Sequence, residues 1–506
     1  MTRSLVFVLL ITMTALGAEV SSPSVSTDKS APVTFNKDVL PILQDNCQSC
    51  HRTGGIAPMS LVTYENTRPW AKAIKTRVVN KQMPPWFADS HYGEFRNAPK
   101  LTQTNIATLV AWADSGAPEG SVADKPSQSP TWQEGWRIQP DVVVSMPEAY
   151  HVAAKGTGEI KEFFIPSPFT EDTWVTSIEI RPGDPSVVHH VIVQVPEQAT
   201  KKAVAVAFSQ GVAGGAVLQK EAVVAQLAET MKLEASALAA AGAAGNRVAV
   251  NSNRVVVNGN GSSYSDLITR LRERETGLGA FMTMEAVYAP GSPPLDFRYT
   301  DSAKLIPGGK PIRIEVHYTP NGKETTDKTM VGFTLAKAPA SRRFVMMAPE
   351  HLVDTRKPIP AGEANWETTG ELTFNQDADL AWFMPHMHLR GKDMTFRLIY
   401  PDGREETVLS AKFNFHWQLG YELKDPIKVP KGTRMIVTAH HDNSANNPEN
   451  PTPGDAVAWG EMTSQEMMLP WFGVIVDRNA QPDAIASYKP GDLELPLGAK
   501  PIVLFK

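Results

Sequence analysis

The stretch Ile312–Pro320, IRIEVHYTP, alternates apolar and polar residues and ends at a proline. Successive side chains of a β-strand point to opposite faces of the sheet, so Ile312, Ile314 and Val316 share one face. The polar residues between them share the other face with His317. The pattern therefore predicts a strand over Ile312–Tyr318 that buries one apolar face and presents His317 away from the core.

Comparable short runs recur along the chain, as is typical of the strands of β-sandwiches. They are Thr173–Ile180, Val187–Val195, Met394–Tyr400 and Arg434–Ala439. The 506 residues are enough for about three domains, and they include 40 prolines and 35 glycines. We expect antiparallel sheets in every domain after the first.

Two other strands carry paired histidines. His386 and His388 lie in WFMPHMHLRG, and residues two apart on a strand share a face. They can therefore bind one metal ion while Met387 points away. Pro385 has no backbone N–H to donate, which favours an edge strand and a metal open to solvent.

His189 and His190, in PSVVHHVIVQV, are adjacent and would face opposite sides of a regular strand. Both can reach one ion only if a bulge or a strand end twists the backbone. A single histidine is more often a hydrogen-bonded residue than a metal ligand. Several imidazole nitrogens together with one thioether, however, suit copper, because sulfur favours the cuprous state and imidazole tolerates both oxidation states.

The first domain carries a different motif. The stretch Cys47–His51, CQSCH, contains the only two cysteines of the chain and has the form of a c-type haem attachment site. Each thiol can add to one vinyl group, and His51 is placed to become the proximal iron ligand. A zinc site would need further cysteines, and a redox dithiol would not need His51. We expect an electron-transfer protein with one covalent haem c.

The residues around this motif read as helical, over Phe35–Gln48, Tyr64–Lys81 and Thr102–Ser115. A thioether is expected as the sixth iron ligand. Met83, in KQMPPW, is favoured over Met59, because eight residues after His51 leave little chain to reach the far haem face. The alternative is that both methionines line the pocket of a five-coordinate iron.

The remaining segments predict where the protein is located and which partners it lacks. Residues 1–18, with the apolar run Leu5–Leu16, read as a signal peptide, so we expect a periplasmic or secreted protein without a membrane span. The net charge of -5 without a basic block argues against nucleic acid as a partner. Residues 123–140 have the composition of a linker. An alanine-rich stretch within residues 200–280 predicts an inserted helix.

The ordered set HH, a single histidine in VHY, HxH and EM resembles the type II copper, ascorbate-dependent monooxygenases, such as peptidylglycine alpha-hydroxylating monooxygenase and dopamine beta-monooxygenase. The resemblance extends from Asp141 to the C-terminus. It implies two jelly-roll domains, here residues 141–340 and 341–506, that each hold one copper ion. The predicted fold class is therefore multidomain: a small all-α cytochrome c domain, residues 32–122, followed by two all-β jelly-roll sandwich domains with a helical insertion in the first.

The resemblance also implies the metal ligands, which we call the first set and the second set. The first set, on the electron-supplying copper, comprises His189, His190 and His317. The second set, on the oxygen-activating copper, comprises His386, His388 and Met467. Met467 is chosen over Met462 and Met468 because SQEM resembles the acidic-Met stretch of the family. His416, His440 and His441 stay unassigned, and the region lacks the cysteines that cross-link the animal members of the family.

The implied activity is hydroxylation of a C–H bond of a small-molecule or peptide substrate with O2, an oxidoreductase reaction. Two electrons must be supplied by ascorbate or another external electron donor. Because a haem is attached to the same chain, we expect its iron to relay these electrons one at a time to the first copper. Two alternatives remain open at this stage. One is a non-catalytic haem and copper electron-transfer protein, and the other is a copper dehydrogenase that passes electrons to the haem.

Overall fold

The computed structural model describes residues 32–128 except 54 and 56, 135–195 except 157, 248–251, 254–257, and 281–489 except 350, 351, 355, 356 and 461. The predicted signal peptide, part of the predicted linker and the alanine-rich stretch lie outside the described residues. No helix within the described ranges is long and apolar enough to cross a membrane.

The N-terminal part contains all the α-helices found among the described residues. They are α1 Leu40–Asn46, α2 Tyr64–Thr67, α3 Ala71–Val79 and α4 Gln103–Asp114, with a π-helical turn at Phe35–Val39 and a 3-10 turn at Arg68–Trp70. The helix predicted over 64–81 is thus interrupted, because Pro69 has no N–H to continue the ladder. Thr102 caps α4 and accepts a hydrogen bond from Asn105 N at 3.1 Å. Phe35, Leu43 and Trp112 are buried together between these elements.

Antiparallel strands make up most of the remaining described chain. They are β1 Val142–Ser145, β2 Tyr150–Val152, β3 Glu159–Ile165, β4 Thr173–Arg181, β5 Val188–Gln194, β6 Val248–Asn251, β7 Arg254–Val257, β8 Phe281–Met284, β9 Ala286–Tyr288, β10 Leu295–Asp296, β11 Lys304–Ile306, β12 Ile312–Tyr318, β13 Thr325–Asp327, β14 Met330–Leu335, β15 Arg342–Pro349, β16 Trp366–Phe374, β17 Ala378–Met387, β18 Gly391–Ile399, β19 Glu405–Lys412, β20 Tyr421–Val429, β21 Arg434–His441, β22 Met468–Asp477 and β23 Ala486–Ser487. This mostly β architecture confirms the strands and antiparallel sheets expected from the sequence.

Besides the two-stranded sheets β2–β13 and β6–β7, the described strands form two pairs of larger sheets, which we call the first and second sandwich. In the first, the order β1-β14-β4-β10, with β11 beside β4, faces the order β3-β12-β5-β9. In the second, the orders are β20-β17-β22-β15-β8 and β19-β18-β21-β16-β23. The chain changes sandwich between β8 and β9, so Phe281–Met284 joins the second sandwich although it precedes the predicted boundary at residue 340.

The insertion predicted to be helical is described only at β6 and β7. These two strands pair antiparallel as a β-hairpin. The alanine-rich stretch expected to be helical precedes them and lies outside the described residues, so the inserted helix stays a prediction.

The two sandwiches pack against each other through the sheet that contains β17 and β22. Trp382, Met384 and Trp471 belong to the core cluster of the first sandwich, whereas Phe383 and Met387 point into the core of the second. This sheet is therefore covered on both faces, which explains why β22 is an almost continuous apolar run. The predicted histidine strands meet at this shared face.

Candidate metal centre between the two sandwiches

A β-bulge brings the first two histidines to the same side of β5. His317 on β12 pairs with His190, but its neighbour Tyr318 pairs with Val188, so His189 is the extra residue. The bulge that the adjacent pair needs is thus present. The Nδ1 atoms of His189 and His190 lie 3.0 Å apart. This distance is that of a hydrogen bond between the two rings, which a metal ion bound at either Nδ1 atom would replace.

His317 lies against this pair. Its ring stacks on that of His190 with centroids 3.7 Å apart, and its Nε2 lies 2.8 Å from Glu315 Oε1. Ile312, Ile314 and Val316 fill the core, as the alternation on β12 predicts. His317 is nevertheless only 8% exposed, because the second sandwich covers the polar face of its sheet.

His386 and His388 occupy the end of β17 and its continuation. Their ring centroids are 5.4 Å apart, and Met387 between them points into the opposite core, as the spacing predicts. The edge strand predicted from Pro385 is wrong, because β17 lies between β20 and β22. Pro385 is tolerated because the pairing with β20 ends at Phe383. His386 and His388 are 2% and 1% exposed, so these side chains are not open to solvent.

Met467 directly precedes β22, beside the buried carboxylate of Glu466. Its side chain packs against the core cluster of the first sandwich. Glu466 accepts hydrogen bonds from the backbone N–H of His388 at 3.0 Å and of Arg390 at 2.6 Å. Burial raises the pKa of Glu466 to about 7, against the lowering effect of these hydrogen bonds. Glu466 therefore ties the end of β17 to the segment that carries Met467.

Four of these histidines share one hydrogen-bonding pattern: one ring nitrogen has a protein acceptor and the other faces the cluster. The acceptor is Phe415 O for His189 Nε2, at 2.7 Å, and Glu315 for His317 Nε2. It is Gln418 Oε1 for His386 Nδ1, at 2.6 Å, and Gln465 O for His388 Nδ1, at 3.2 Å. Metal-ligating histidines usually donate their second ring N–H in this way, which fixes the tautomer and the ring orientation.

The two predicted sets are in contact, whereas we expected two separate pockets. The ring centroids of His190 and His386 are 5.3 Å apart, at an interplanar angle of 74°. Trp471 stacks on the other side of His386 at 4.7 Å and 3°. The histidines of both sandwiches thus form one continuous cluster, because the sandwiches pack directly on each other here.

Burial keeps these imidazoles neutral. It lowers the pKa of His189 to about 4 and the pKa of both His317 and His386 to about 3. Burial, reinforced by neighbouring imidazoles, also holds the pKa of His190 and His388 well below the usual value. Neutral imidazoles carry the lone pair that a metal ligand needs, so the cluster is in the correct protonation state at neutral pH.

The histidine cluster has the donor atoms that a metal site needs, but its rings do not converge on a single point. Within the described ranges, no group of three or more His, Cys, Asp or Glu side chains is already arranged to hold a metal ion. However, three buried ring nitrogens have no hydrogen-bond partner among the described residues: His190 Nε2, His317 Nδ1 and His388 Nε2. Each such atom costs about 1–3 kcal/mol, which a bound cation would remove.

The haem motif forms a compact turn at the end of α1. Cys50 N and His51 N both donate to Cys47 O, at 3.1 and 2.9 Å, and neither cysteine is in a disulfide. Burial, with the nearby Cys50, raises the pKa of Cys47 to about 12, so its thiol is not a reactive thiolate. His51 Nδ1 lies 3.3 Å from Met59 O, which leaves Nε2 as the atom for an iron ion.

The candidate sixth ligands lie on different segments. Met59 packs against the helical core and holds the His51 ring through its carbonyl, on the His51 side of the site. Met83 follows α3, is partly buried, and donates its backbone N–H to Arg77 O at 3.3 Å. The choice of Met83 as the sixth ligand stays a prediction.

The segment Trp86–Asn97, which we call the strap, docks on the second sandwich. It forms bridges from Ala88 to β19 and from Phe95 to β20, which are the edge strands of the two sheets. The Trp86 ring lies edge-on to Tyr421 with centroids 5.0 Å apart. The strap covers edges that would otherwise expose unpaired backbone groups. It also links the helical part of the chain to the second sandwich.

The unassigned histidines lie outside the cluster. His440 has carboxylates at both ring nitrogens, with Asp393 at 2.6 Å and Glu367 at 3.5 Å. His416 is exposed and pairs with Glu449 at 3.4 Å. His441 is fully buried, and its Nε2 lies 3.4 Å from the carbonyl oxygen of Met467.

Residues that hold the histidines from outside were missed by the sequence reasoning. Glu315 shares its strand face with His317, so its spacing was a usable signal. Phe415 and Gln418 come from a loop between β19 and β20, and no local pattern links that loop to residues on β5 or β17.

No protein-family model matches the chain, and no curated protein matches it. Weak similarity exists to solved structures of infectious bursal disease virus. The Gt strain structure shares 10% identity over 72% of this chain and 78% of the other, with a TM-score of 0.15. The VP2 subviral particle shares 9% identity over 70% and 77%, with a TM-score of 0.16. TM-scores this low carry no argument about fold or function.

Proposed function

We propose that this chain is a periplasmic or secreted copper-dependent monooxygenase that hydroxylates a C–H bond with O2 and receives electrons through a covalently attached c-type haem. The observation that carries the proposal is the buried histidine cluster between the sandwiches, where protein acceptors leave one nitrogen facing inward on four of the five rings. The resemblance in the order of these residues supports the same activity.

The residues divide into three sites under this proposal. His189, His190 and His317 would hold one copper ion, and a second would bind to the set that comprises His386, His388 and Met467. Cys47 and Cys50 would attach the haem, with His51 and Met83 on its iron. Bound copper would supply one-electron redox chemistry and the activation of O2.

The protein residues have the task of orienting ligands and excluding water. Glu315, Phe415 and Gln418 fix ring tautomers before metal binds, which lowers the reorganisation needed on binding. Trp471 stacks on His386 and keeps one face of the cluster apolar. The near-complete burial of the imidazoles limits loss of electrons to solvent species.

The reaction needs electrons from outside the substrate. Hydroxylation of one C–H bond by O2 consumes two electrons and two protons and releases water, and the electrons would come from ascorbate or another external donor. One contact supports a haem relay. The strap joins the segment after Met83 to Tyr421, three residues after Gln418.

A second candidate is a haem and copper electron-transfer protein without oxygenase activity. The contact between His190 and His386 favours it, because two adjoining metal sites exchange electrons readily and buried imidazoles limit substrate access. The third possibility is a dehydrogenase that passes electrons from its substrate to the haem. It alone predicts that adding substrate without oxygen reduces the haem.

Two measurements on purified protein test the proposal. Metal and haem quantitation should give two copper ions per haem, and zinc or a single copper ion would contradict it. Rapid mixing of the fully reduced protein with O2 should then oxidise the haem faster than in a His317→Ala variant. Equal rates in the two proteins would refute the relay, and His416→Ala, which alters an exposed histidine, serves as the control.

A further inference from the structure

One loop of the second sandwich contacts a histidine from each set. The carbonyl oxygen of Phe415 accepts hydrogen bonds from His189 Nε2, at 2.7 Å, and from Gln418 Nε2, at 3.4 Å. The other end of the same amide, Gln418 Oε1, lies 2.6 Å from His386 Nδ1. A continuous hydrogen-bonded bridge therefore runs from His189 through Phe415 and Gln418 to His386.

We propose that Gln418 is a positioning residue that selects the Nδ1–H tautomer of His386, so that Nε2 is the nitrogen presented to a metal ion. The carbonyl of Phe415 determines the orientation of the Gln418 amide and selects the Nε2–H tautomer of His189 in the same way. The tautomer selection stands on the metal-free protein, and only its consequence for copper rests on the proposed function.

The orientation of the amide follows from the chemistry of its neighbours. Phe415 O is a pure acceptor, so it requires the NH2 group of Gln418 on its side. The flipped amide would place two oxygens against each other. With NH2 toward Phe415, Oε1 must face His386, and only an N–H at Nδ1 satisfies it.

Burial makes this selection strong. Gln418 is 3% exposed and His386 is 2% exposed, so a wrong tautomer would leave two facing acceptors inside the protein. Phe415 also stacks on the His189 ring, with centroids 4.2 Å apart, which holds that ring against the carbonyl that orients it.

The first test measures tautomers in the full-length, metal-free protein by nitrogen NMR of the imidazole rings. We expect His386 protonated at Nδ1 and His189 protonated at Nε2. In Gln418→Leu, which keeps bulk but has no hydrogen-bonding group, His386 should become a mixture of tautomers while His189 is unchanged. Gln418→Glu, which burial keeps in the protonated form, can donate its O–H to Phe415 O and still accept from Nδ1–H, so it should restore the wild-type tautomer of His386.

The second test is a copper titration of the same three proteins against a competing chelator. Gln418→Leu should weaken the second set by about 10–100-fold and leave the first set unchanged, and Gln418→Glu should lie within a few-fold of wild type. A purely structural role would perturb both variants alike. The inference is overturned if wild-type His386 carries its proton on Nε2, or if the leucine variant keeps the wild-type tautomer and affinity. Failure of the wild-type protein to bind copper would instead remove the proposed function and leave the tautomer result to stand.

Discussion

The metal-free protein should lose stability in mild acid because its clustered imidazoles are buried in the neutral form. Burial lowers the pKa of His317 to about 3, whereas a histidine in an unfolded chain titrates near 6.5. Between these values the unfolded chain binds a proton that the folded protein does not. The stability that the neutral imidazole contributes is therefore present above about pH 6.5 and is lost as the pH falls toward 3.

The loss of unfolding free energy at pH 5 does not depend on the pKa of His317 in the folded protein, provided that this pKa lies below about 4. At pH 5 the pH is about 1.5 units below the pKa of an unfolded histidine, which corresponds to a loss of about 2 kcal/mol. Urea unfolding of metal-free wild type and of His317→Gln, at about pH 7.5, 6 and 5, isolates this contribution by difference. The variant should show a pH dependence shallower by about 2 kcal/mol.

An exposed residue that does not titrate supplies the control, since Thr369→Ala should keep the wild-type pH dependence. Parallel curves for wild type and His317→Gln would mean that His317 is protonated in the folded state. The account of the cluster as a set of neutral ligands would then be incorrect.

Three further predictions concern the helical part of the chain. Replacing Cys50 with alanine should leave the haem bound by one thioether or lost, which shows as a changed pyridine haemochrome spectrum, and an unchanged spectrum would contradict the attachment site. Met83→Ala should abolish the thioether-to-iron absorption band of the oxidised haem, whereas Met59→Ala should retain it; the reverse result would exchange their roles. Trp86→Ala should loosen the strap at a cost of about 2 kcal/mol, because the ring is partly buried, and should speed hydrogen exchange in β19 and β20. Unchanged exchange there would show that the strap docks without Trp86.

Local sequence patterns correctly predicted the strands and the sheet face on which the histidine side chains lie. The strand Ile312–Tyr318 has the predicted bounds, and His386 and His388 turn away from Met387 as a period of two requires. The adjacent pair His189 and His190 lies at a bulge, the geometry that the pair needs.

What the sequence could not predict depends on packing between distant segments. Pro385 was interpreted as an edge residue, but the position of β17 in its sheet follows from where β20 stops pairing. The contact between His190 and His386 arises because two sandwiches share a buried face, which no single strand encodes. Likewise, Gln418 and the strap reach their partners from far along the chain.

The most direct test of the central claim is a crystal structure of the copper-loaded protein with anomalous diffraction measured at the copper edge. The account predicts one copper peak beside His189, His190 and His317 and a second beside His386, His388 and Met467, with iron at His51. Absence of copper from both sets of imidazoles in well-ordered crystals would contradict it.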